Sequence, residues 1–264
     1  MDVWSQSVVL GVVQGLTEFL PVSSSGHLVL LQHFLGFKGD NLLFDLLVHM
    51  ATLLAVVVYF WRDLVSLARS LVDRGAAEER RLLFYILVAT VVTGTIGLTF
   101  KGLLESLFYS PRLVVVTLGI TGLVLFLAER FSWGHKSMYR FGWGPSALVG
   151  LAQGVAIVPG ISRSGSTVAA ALLLGMDREQ AGRYSFLIAI PAIAGAFVLE
   201  VKGVKGLPST DIGPYLVGMA AAFLVGLASI KVFLKAITSK RLTWFAYYCW
   251  GVALVSLVLF LGGF

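Results

Sequence analysis

The chain is 264 residues long, 58% hydrophobic and only 13% charged, with a mean hydropathy of +0.89 and a formal net charge of +6. A soluble domain carries roughly 45–50% apolar and about 25% charged residues, so this composition excludes an ordinary soluble domain, a disordered chain and a disulfide scaffold. It leaves a polytopic helical membrane protein whose basic excess belongs to cytoplasmic loops rather than to a nucleic-acid surface.

In chain order, residues 1–7 contain Asp2 and no Lys or Arg. They lack the basic region of a cleavable signal peptide, so the first apolar segment is expected in the mature fold. Val8–Leu20 is too short to span and stops at Pro21, and Leu28–Leu35 is interrupted by Gln32 and His33. The polar turn Pro21-Val-Ser-Ser-Ser-Gly-His27 joins them. Two short helices about a polar elbow predict a re-entrant hairpin, whose non-helical backbone is tolerated only inside protein or beside a water-filled cavity. Leu42–Trp61 is the first full span, with Asp45 and His49 four residues apart as a supporting polar pair or a lining of the outer mouth. Leu82–Leu103 and Pro111–Ala128 follow. Ser146–Val158 and Thr167–Leu174 repeat the short–elbow–short pattern around Pro159-Gly-Ile-Ser-Arg-Ser-Gly-Ser166. The spans Ala181–Val201, Gly213–Leu234 and Thr243–Leu261 complete an all-α membrane protein of six transmembrane helices and two re-entrant hairpins. Arg183 and Tyr184 hold the place of the Asp45–His49 pair in the second half, Glu200 reads as interfacial, and Cys249 beside Trp250 reads as a small buried hydrophobe. Trp61, Tyr85, Tyr109, Trp244 and Tyr247 are expected in aromatic belts.

The two elbows are related. A shift of 139 aligns Gly11, Gln14, Gly15, Ser23, Ser25, Gly26, Val29, Leu35 and Gly36 with Gly150, Gln153, Gly154, Ser162, Ser164, Gly165, Val168, Leu174 and Gly175, nine identities over 26 ungapped positions. Matches at Gln, Ser and Gly in register are not what two unrelated apolar stretches produce, and they point to an internal duplication. Each copy holds one hairpin and three spans, so the second is inverted relative to the first. The single membrane domain then consists of inverted repeats over about 1–130 and 140–264. With the loop Arg62–Arg81 taken as cytoplasmic, fourteen basic residues fall inside and five (Lys38, Lys101, Arg112, Lys202 and Lys205) outside, Arg163 being left to its elbow. The first elbow then enters from the outer face and the second from the cytoplasmic face.

The chemistry sits in the elbows. Gln14 and Glu18 are four apart and share a helix face. An acid at membrane depth is costly and marks function: Glu18 is a metal ligand or general base, or a structural carboxylate paired with Arg163. Ser23, Ser24 and Ser25 open a helix with hydroxyls and backbone N–H groups offered to an anion, more than a single cap requires. His27 is placed to take a proton from a serine or give one to a leaving group. In the second elbow Arg163 stands at a helix start among Ser162, Ser164, Ser166 and Thr167, where a guanidinium fork suits phosphate oxygens. No GxxxxGK[ST] and no paired-Cys metal motif occurs in the sequence.

Gly11-Val-Val-Gln-Gly-Leu-Thr-Glu-Phe-Leu-Pro-Val-Ser-Ser-Ser-Gly-His27 and Pro159-Gly-Ile-Ser-Arg-Ser-Gly-Ser-Thr167 closely resemble the two signature regions of the undecaprenyl pyrophosphate phosphatases, the bacitracin-resistance membrane family. The resemblance covers essentially the whole chain. It implies removal of the terminal phosphate of undecaprenyl diphosphate, regenerating the lipid carrier for cell-wall polymers, with a divalent cation, Mg²⁺ or Ca²⁺. It further implies a homodimer in the plasma membrane with its pocket reached from the outer face. The family's [Glu/Gln]-x-x-x-Glu pattern falls on Gln14 and Glu18, its serine and histidine on Ser24 and His27, and its Pro-Gly-x-Ser-Arg-Ser-x-x-Thr pattern on Ser162, Arg163, Ser164 and Thr167. Many members carry Glu where this chain has Gln14; Gln cannot act as a base, which leaves Glu18 as the principal acid, with Gln14 orienting metal-bound water or substrate. The expected catalytic set is Glu18, Ser24, His27 and Arg163, with Gln14, Ser23, Ser25, Ser162, Ser164 and Thr167 binding substrate. The nucleophile is either Ser24, activated by His27 or Glu18, or a water activated by Glu18, with Ser24 preferred. The competing reading is a transporter or flippase for a phosphate-bearing substrate, since inverted repeats with broken helices also build transporters.

Overall fold

The computed structural model describes residues 2–37, 41–107, 110–201 and 212–262. Its helices are α1 Val3–Thr17, α2 Ser24–Leu35, α3 Asn41–Tyr59, α4 Trp61–Arg69, α5 Ala77–Thr99, α6 Lys101–Leu107, α7 Pro111–Phe131, α8 Trp143–Val155, α9 Arg163–Leu173, α10 Arg178–Glu200, α11 Ile212–Thr238 and α12 Leu242–Leu261, with one 3₁₀ turn at Met138–Arg140. Six of them, α3, α5, α7, α10, α11 and α12, are long and apolar enough to cross a membrane. These are the six anticipated spans.

The boundaries move for identifiable reasons. The second span begins at Ala77 rather than Leu82, because Glu78 and Glu79 occupy the first turn of α5, where carboxylates complement the helix dipole. It stops at Thr99, and Leu103 falls instead in the separate short helix α6. The loop expected over Arg62–Arg81 contains α4, a helix too short and too polar to register as a span. The four short helices all start earlier than the apolar runs suggest. Asp2 caps α1 by accepting from Ser5 N at 2.8 Å, and Ser23 and Ser162 cap α2 and α9. The elbow residues from Ser24 and from Arg163 onward are therefore first turns of helices rather than loop. At 15 residues or fewer, α1, α2, α8 and α9 reach at most about 23 Å, short of the roughly 30 Å of a bilayer core.

Small residues let these short helices pack closely. α1 lies against α11 and α8 against α5. A Cβ on Gly11 would sit 2.2 Å from the Gly218 carbonyl oxygen, and one on Gly150 2.5 Å from that of Ala89. Backbone-on-backbone contact of this kind is the usual way to join helices where lipid removes the hydrophobic drive between them. Gly11→Ala is accordingly expected to overpack the α1–α11 seam and destabilise the fold by about 1–3 kcal/mol. A lowered thermal midpoint in detergent, with Gly94→Ala as a comparison at a helical site with open space, checks this.

Below the first elbow, Phe19, fully buried, packs edge-on to Phe186 of α10 at 5.6 Å, and Phe186 in turn meets Phe60 and Phe233 at 5.6 Å each. This aromatic stack anchors the residue next to Glu18.

At one end of the molecule the loops grouped by their basic residues meet. Arg140 pairs with Glu78 at 3.2 Å, and Gln180 Oε1 accepts from Met138 N at 2.7 Å. Arg178 binds Glu129 at 2.8 Å and Ser132 at 2.7 Å, and Glu129 accepts from Leu242 N at 2.9 Å. Arg183 pairs with Asp63 and lies over the Phe60 ring at 5.6 Å. That pairing removes Arg183 from the polar role anticipated for it beside the elbows. Tyr184 is fully buried, its hydroxyl donating to Tyr85 O at 3.2 Å. Tyr85 belongs to the core rather than to an aromatic belt, because its ring packs inside between α5 and its neighbours, whereas Trp61, Trp244 and Tyr247 are exposed as expected. Cys249 is a buried free thiol. Tyr109, Lys38, Lys202 and Lys205 lie outside the described residues.

Candidate active site

The two elbows meet in space. Ser164 Oγ donates to Leu20 O at 3.1 Å. Gly160, with φ of +88°, turns the second elbow against Thr117, where an added Cβ would lie 1.9 Å from the Thr117 hydroxyl. Both the left-handed backbone and the close approach require glycine there. Thr117 and Thr121 of α7 fasten this turn by donating to Pro159 O at 2.7 Å and Gly160 O at 2.8 Å. In the first elbow Ser23 adopts a φ of +68°, a strained choice for a residue with a Cβ, and its hydroxyl caps α2 by accepting from Gly26 N at 3.2 Å.

Glu18 lies where the hairpins touch, and is 5% exposed. Arg163 Nη2 donates to its Oε1 at 2.6 Å. Ser24 Oγ donates to Oε2 at 2.5 Å, and Gln14 Nε2 donates to the same oxygen at 3.1 Å. Ser24 and Arg163 are the first residues of α2 and α9 and are related by the shift of 139. Each hairpin thus delivers one group to the same carboxylate, and two helix N-termini, with their partial positive charge, point at one spot. An ionised carboxylate this deeply buried is tolerable because the guanidinium and two further donors replace its water. Two buried polar atoms remain without a partner among the described residues here, Arg163 Nη1 and Gln14 Oε1. One is a donor suited to an anion, the other an acceptor suited to a cation or water.

The remaining predicted residues divide. His27 does not reach Ser24 in this structure. Its Nδ1 bonds Ser23 O at 2.7 Å and its Nε2 bonds the Tyr248 hydroxyl at 2.9 Å. Ser25 Oγ lies 3.4 Å from Ser23 Oγ and is partly exposed. Ser162 caps α9 through Gly165 N at 3.1 Å and lies 3.3 Å from Ser164 Oγ. Thr167 is fully buried, its hydroxyl shared between Arg163 O at 2.8 Å and Ser185 Oγ at 2.6 Å. Ser23, Ser162, Ser164 and Thr167 therefore spend their hydroxyls shaping the elbows.

Three residues join the site beyond the motifs. His49 presents Nε2 3.5 Å from Glu18 Oε2, while its Nδ1 donates to Asp45 O at 2.7 Å. The Asp45 carboxylate instead accepts from Gln32 Nε2 at 2.7 Å. Thr52 accepts from Gln14 Nε2 at 3.4 Å. It lies on the α3 face of Asp45 and His49, a helical spacing visible in the sequence. Tyr248, 221 positions from His27, has no local signal.

Residues 7–255 match the family described as Bacitracin resistance protein BacA. Among curated relatives, an undecaprenyl-diphosphatase of Carboxydothermus hydrogenoformans is 44% identical over 258 residues, covering 96% of both chains. One from Halothermothrix orenii is 41% identical over 257 residues, again covering 96% of both, and one from Methanosphaera stadtmanae is 36% identical over 274 residues, covering 98% of both. A match of this length shows the family: the chain belongs to the bacitracin resistance protein BacA family.

Proposed function

We propose that this multi-pass membrane protein is an undecaprenyl-diphosphatase, hydrolysing undecaprenyl diphosphate to undecaprenyl phosphate and inorganic phosphate. The observation that carries the reading is the contact of Glu18 with both Arg163 and Ser24 at 2.6 Å and 2.5 Å, an acid, a guanidinium and a hydroxyl joined across two hairpins. Curated relatives bearing that name at 36–44% identity over nearly the whole chain support it.

Phosphoryl transfer depends mainly on positioning and on charge placed around the equatorial oxygens. Arg163, through its unpartnered Nη1, and the first turns of α2 and α9 receive the terminal phosphate. Ser25 and Gln14 complete the binding wall. Ser23, Ser162, Ser164 and Thr167 contribute by holding both elbows in shape. Ser24 Oγ attacks the terminal phosphorus and passes its proton to Glu18 Oε2, which already accepts that hydrogen. The bond to the bridging oxygen breaks and the lipid monophosphate leaves. Glu18, once it has given that proton to the departing monophosphate, deprotonates the water that then releases phosphate from Ser24. His27 is held beside Ser24 by Ser23 O and the Tyr248 hydroxyl.

Glu18 and Gln14 are the residues that would hold a divalent cation, Mg²⁺ or Ca²⁺. The unpartnered Gln14 Oε1 beside a carboxylate fits such an ion, and hard cations commonly rest on one or two protein oxygens plus substrate phosphates. When bound, the cation would supply neutralising charge to the diphosphate.

The location is the plasma membrane, with the site open to the outer face. The meeting of the basic loops that the sequence assigns to the cytoplasm supports this orientation. The two halves form inverted repeats. The exchange of partners, α1 with α11 and α8 with α5, supports this, as do the matched close approaches of Gly11 and Gly150. A homodimer is the expected assembly.

Purified protein in detergent decides between hydrolase and transporter. Phosphate release from undecaprenyl diphosphate is expected there, and its absence in the presence of Mg²⁺ and Ca²⁺ contradicts the reading. Rapid-quench experiments with terminal ³²P are expected to label wild-type protein and not Ser24→Ala. A single turnover without labelled protein, with ¹⁸O from water entering the phosphate, would reassign the nucleophile to water.

A further inference from the structure

α12 carries a residue that touches the site from outside both signature regions. Tyr248 places its hydroxyl 2.9 Å from His27 Nε2, and its ring lies nearly parallel to the imidazole, 7° between planes, with centroids 5.6 Å apart. The tautomer follows from the partners. Ser23 O can only accept, so the Nδ1 that bonds it at 2.7 Å carries hydrogen. In the neutral ring Nε2 is then an acceptor, and the Tyr248 O–H donates to it. Both ring nitrogens are thus assigned, one by the backbone of the first elbow and the other by the last span.

The register of α12 is held independently of this contact. Leu242 N donates to Glu129 Oε2 at 2.9 Å, and Trp250 Nε1 donates to Gly119 O at 3.0 Å. Cys249, next to Tyr248, sets its thiol 3.9 Å from Pro21 O. A helix pinned to α7 on both sides of Tyr248 delivers the phenol to the first elbow at a defined height. Burial of His27, 7% exposed, with two fixed partners restricts the ring to one orientation.

We propose that Tyr248 is the positioning residue for His27, its hydroxyl donating to Nε2 and fixing the orientation of the ring whose Nδ1–H form Ser23 O selects. Loss of that donor leaves the ring held by Ser23 O alone and free to tilt about that bond, so that only a fraction of molecules meets the substrate with the ring in its held orientation. The inference rests on the phosphatase reading.

Tyr248→Phe keeps the stacked ring and removes only the hydroxyl. In purified protein with undecaprenyl diphosphate, kcat is expected to fall about tenfold with KM within about twofold, the loss of one oriented hydrogen bond. In ¹⁵N-histidine-labelled protein without substrate, the His27 ring signals, assigned by their loss in His27→Gln, are expected to show the Nδ1–H tautomer in both proteins, with the Nε2 signal of Tyr248→Phe moved toward that of an acceptor nitrogen without a hydrogen bond. A purely structural tyrosine would lower the thermal midpoint without a selective loss of kcat, whereas the thermal midpoint of Tyr248→Phe is expected to match wild type while kcat falls. Unchanged kcat, a loss confined to KM, or unaltered ring signals each overturn the inference. Wild-type protein that releases no phosphate removes the phosphatase reading itself, and this role with it, whatever the ring signals show.

Discussion

Glu18→Gln is expected to lower kcat for phosphate release by about 10³-fold or more while the protein remains folded. The substitution keeps the shape but only one acceptor oxygen, so the hydrogen bond from Arg163 can persist while the amide –NH2 in place of Oε2 donates to Ser24 instead of accepting from it. What disappears is the charge. Ser24 loses the group that takes its proton, a contribution of roughly 10²–10⁴ for a positioned base. The negative charge offered to a cation and to Arg163 is lost at the same time. Steady-state phosphate release, read beside size-exclusion elution in detergent, checks this. A Glu18→Gln protein with more than a tenth of wild-type kcat would remove Glu18 from the chemistry.

Arg163→Ala is expected to act on both activity and stability. Guanidinium groups on transferring phosphates contribute on the order of 10³–10⁵ in rate in well-studied cases. Here the same group also offsets the charge of Glu18, whose side chain is only 4% exposed. Removing one member of a buried ion pair strands the other, at a cost of about 3–5 kcal/mol. Arg163→Ala should therefore be at least about 10³-fold slower and visibly less thermostable. The stability loss should shrink when Glu18→Gln is added, since no buried charge is then stranded. Arg163→Lys keeps the charge but not the two-pronged geometry, and is expected to recover most of the stability and little of the activity. If Arg163→Ala melts like wild type, the ion pair is not the buried contact described above.

Much of this was legible in the sequence because membrane depth makes polar residues expensive. Glu18 and Arg163 stand out against apolar surroundings, and each hairpin's shortness follows from Pro21 and Pro159. What remained hidden are contacts made by long-range packing. Glu18 has only Gln14 and Ser24 as sequence neighbours of consequence; that Arg163, 145 positions away, reaches it at 2.6 Å depends on how α1 and α8 seat against α11 and α5. His49 reads as Asp45's partner by spacing alone. The structure gives its Nδ1 to the Asp45 backbone and turns Nε2 to Glu18, because the Asp45 side chain is taken by Gln32. Arg183 occupies the equivalent place in the second half, yet a carboxylate on α4 claims it. α4 itself was invisible to a search for apolar runs. Tyr248 sits in a uniformly apolar span, where one more aromatic near Tyr247 and Trp250 reads as belt or packing until its hydroxyl is seen on His27.

The central claim is that the two hairpins build one catalytic unit, and a double-mutant cycle on phosphate release measures it most directly. Glu18→Gln, Arg163→Lys and the pair combined would be compared in the same detergent with undecaprenyl diphosphate. Residues that act as a unit lose function once. The double variant is expected to be no more than about threefold slower than the slower single. Losses that multiply across the two positions would contradict it, and would place Glu18 and Arg163 in separate roles.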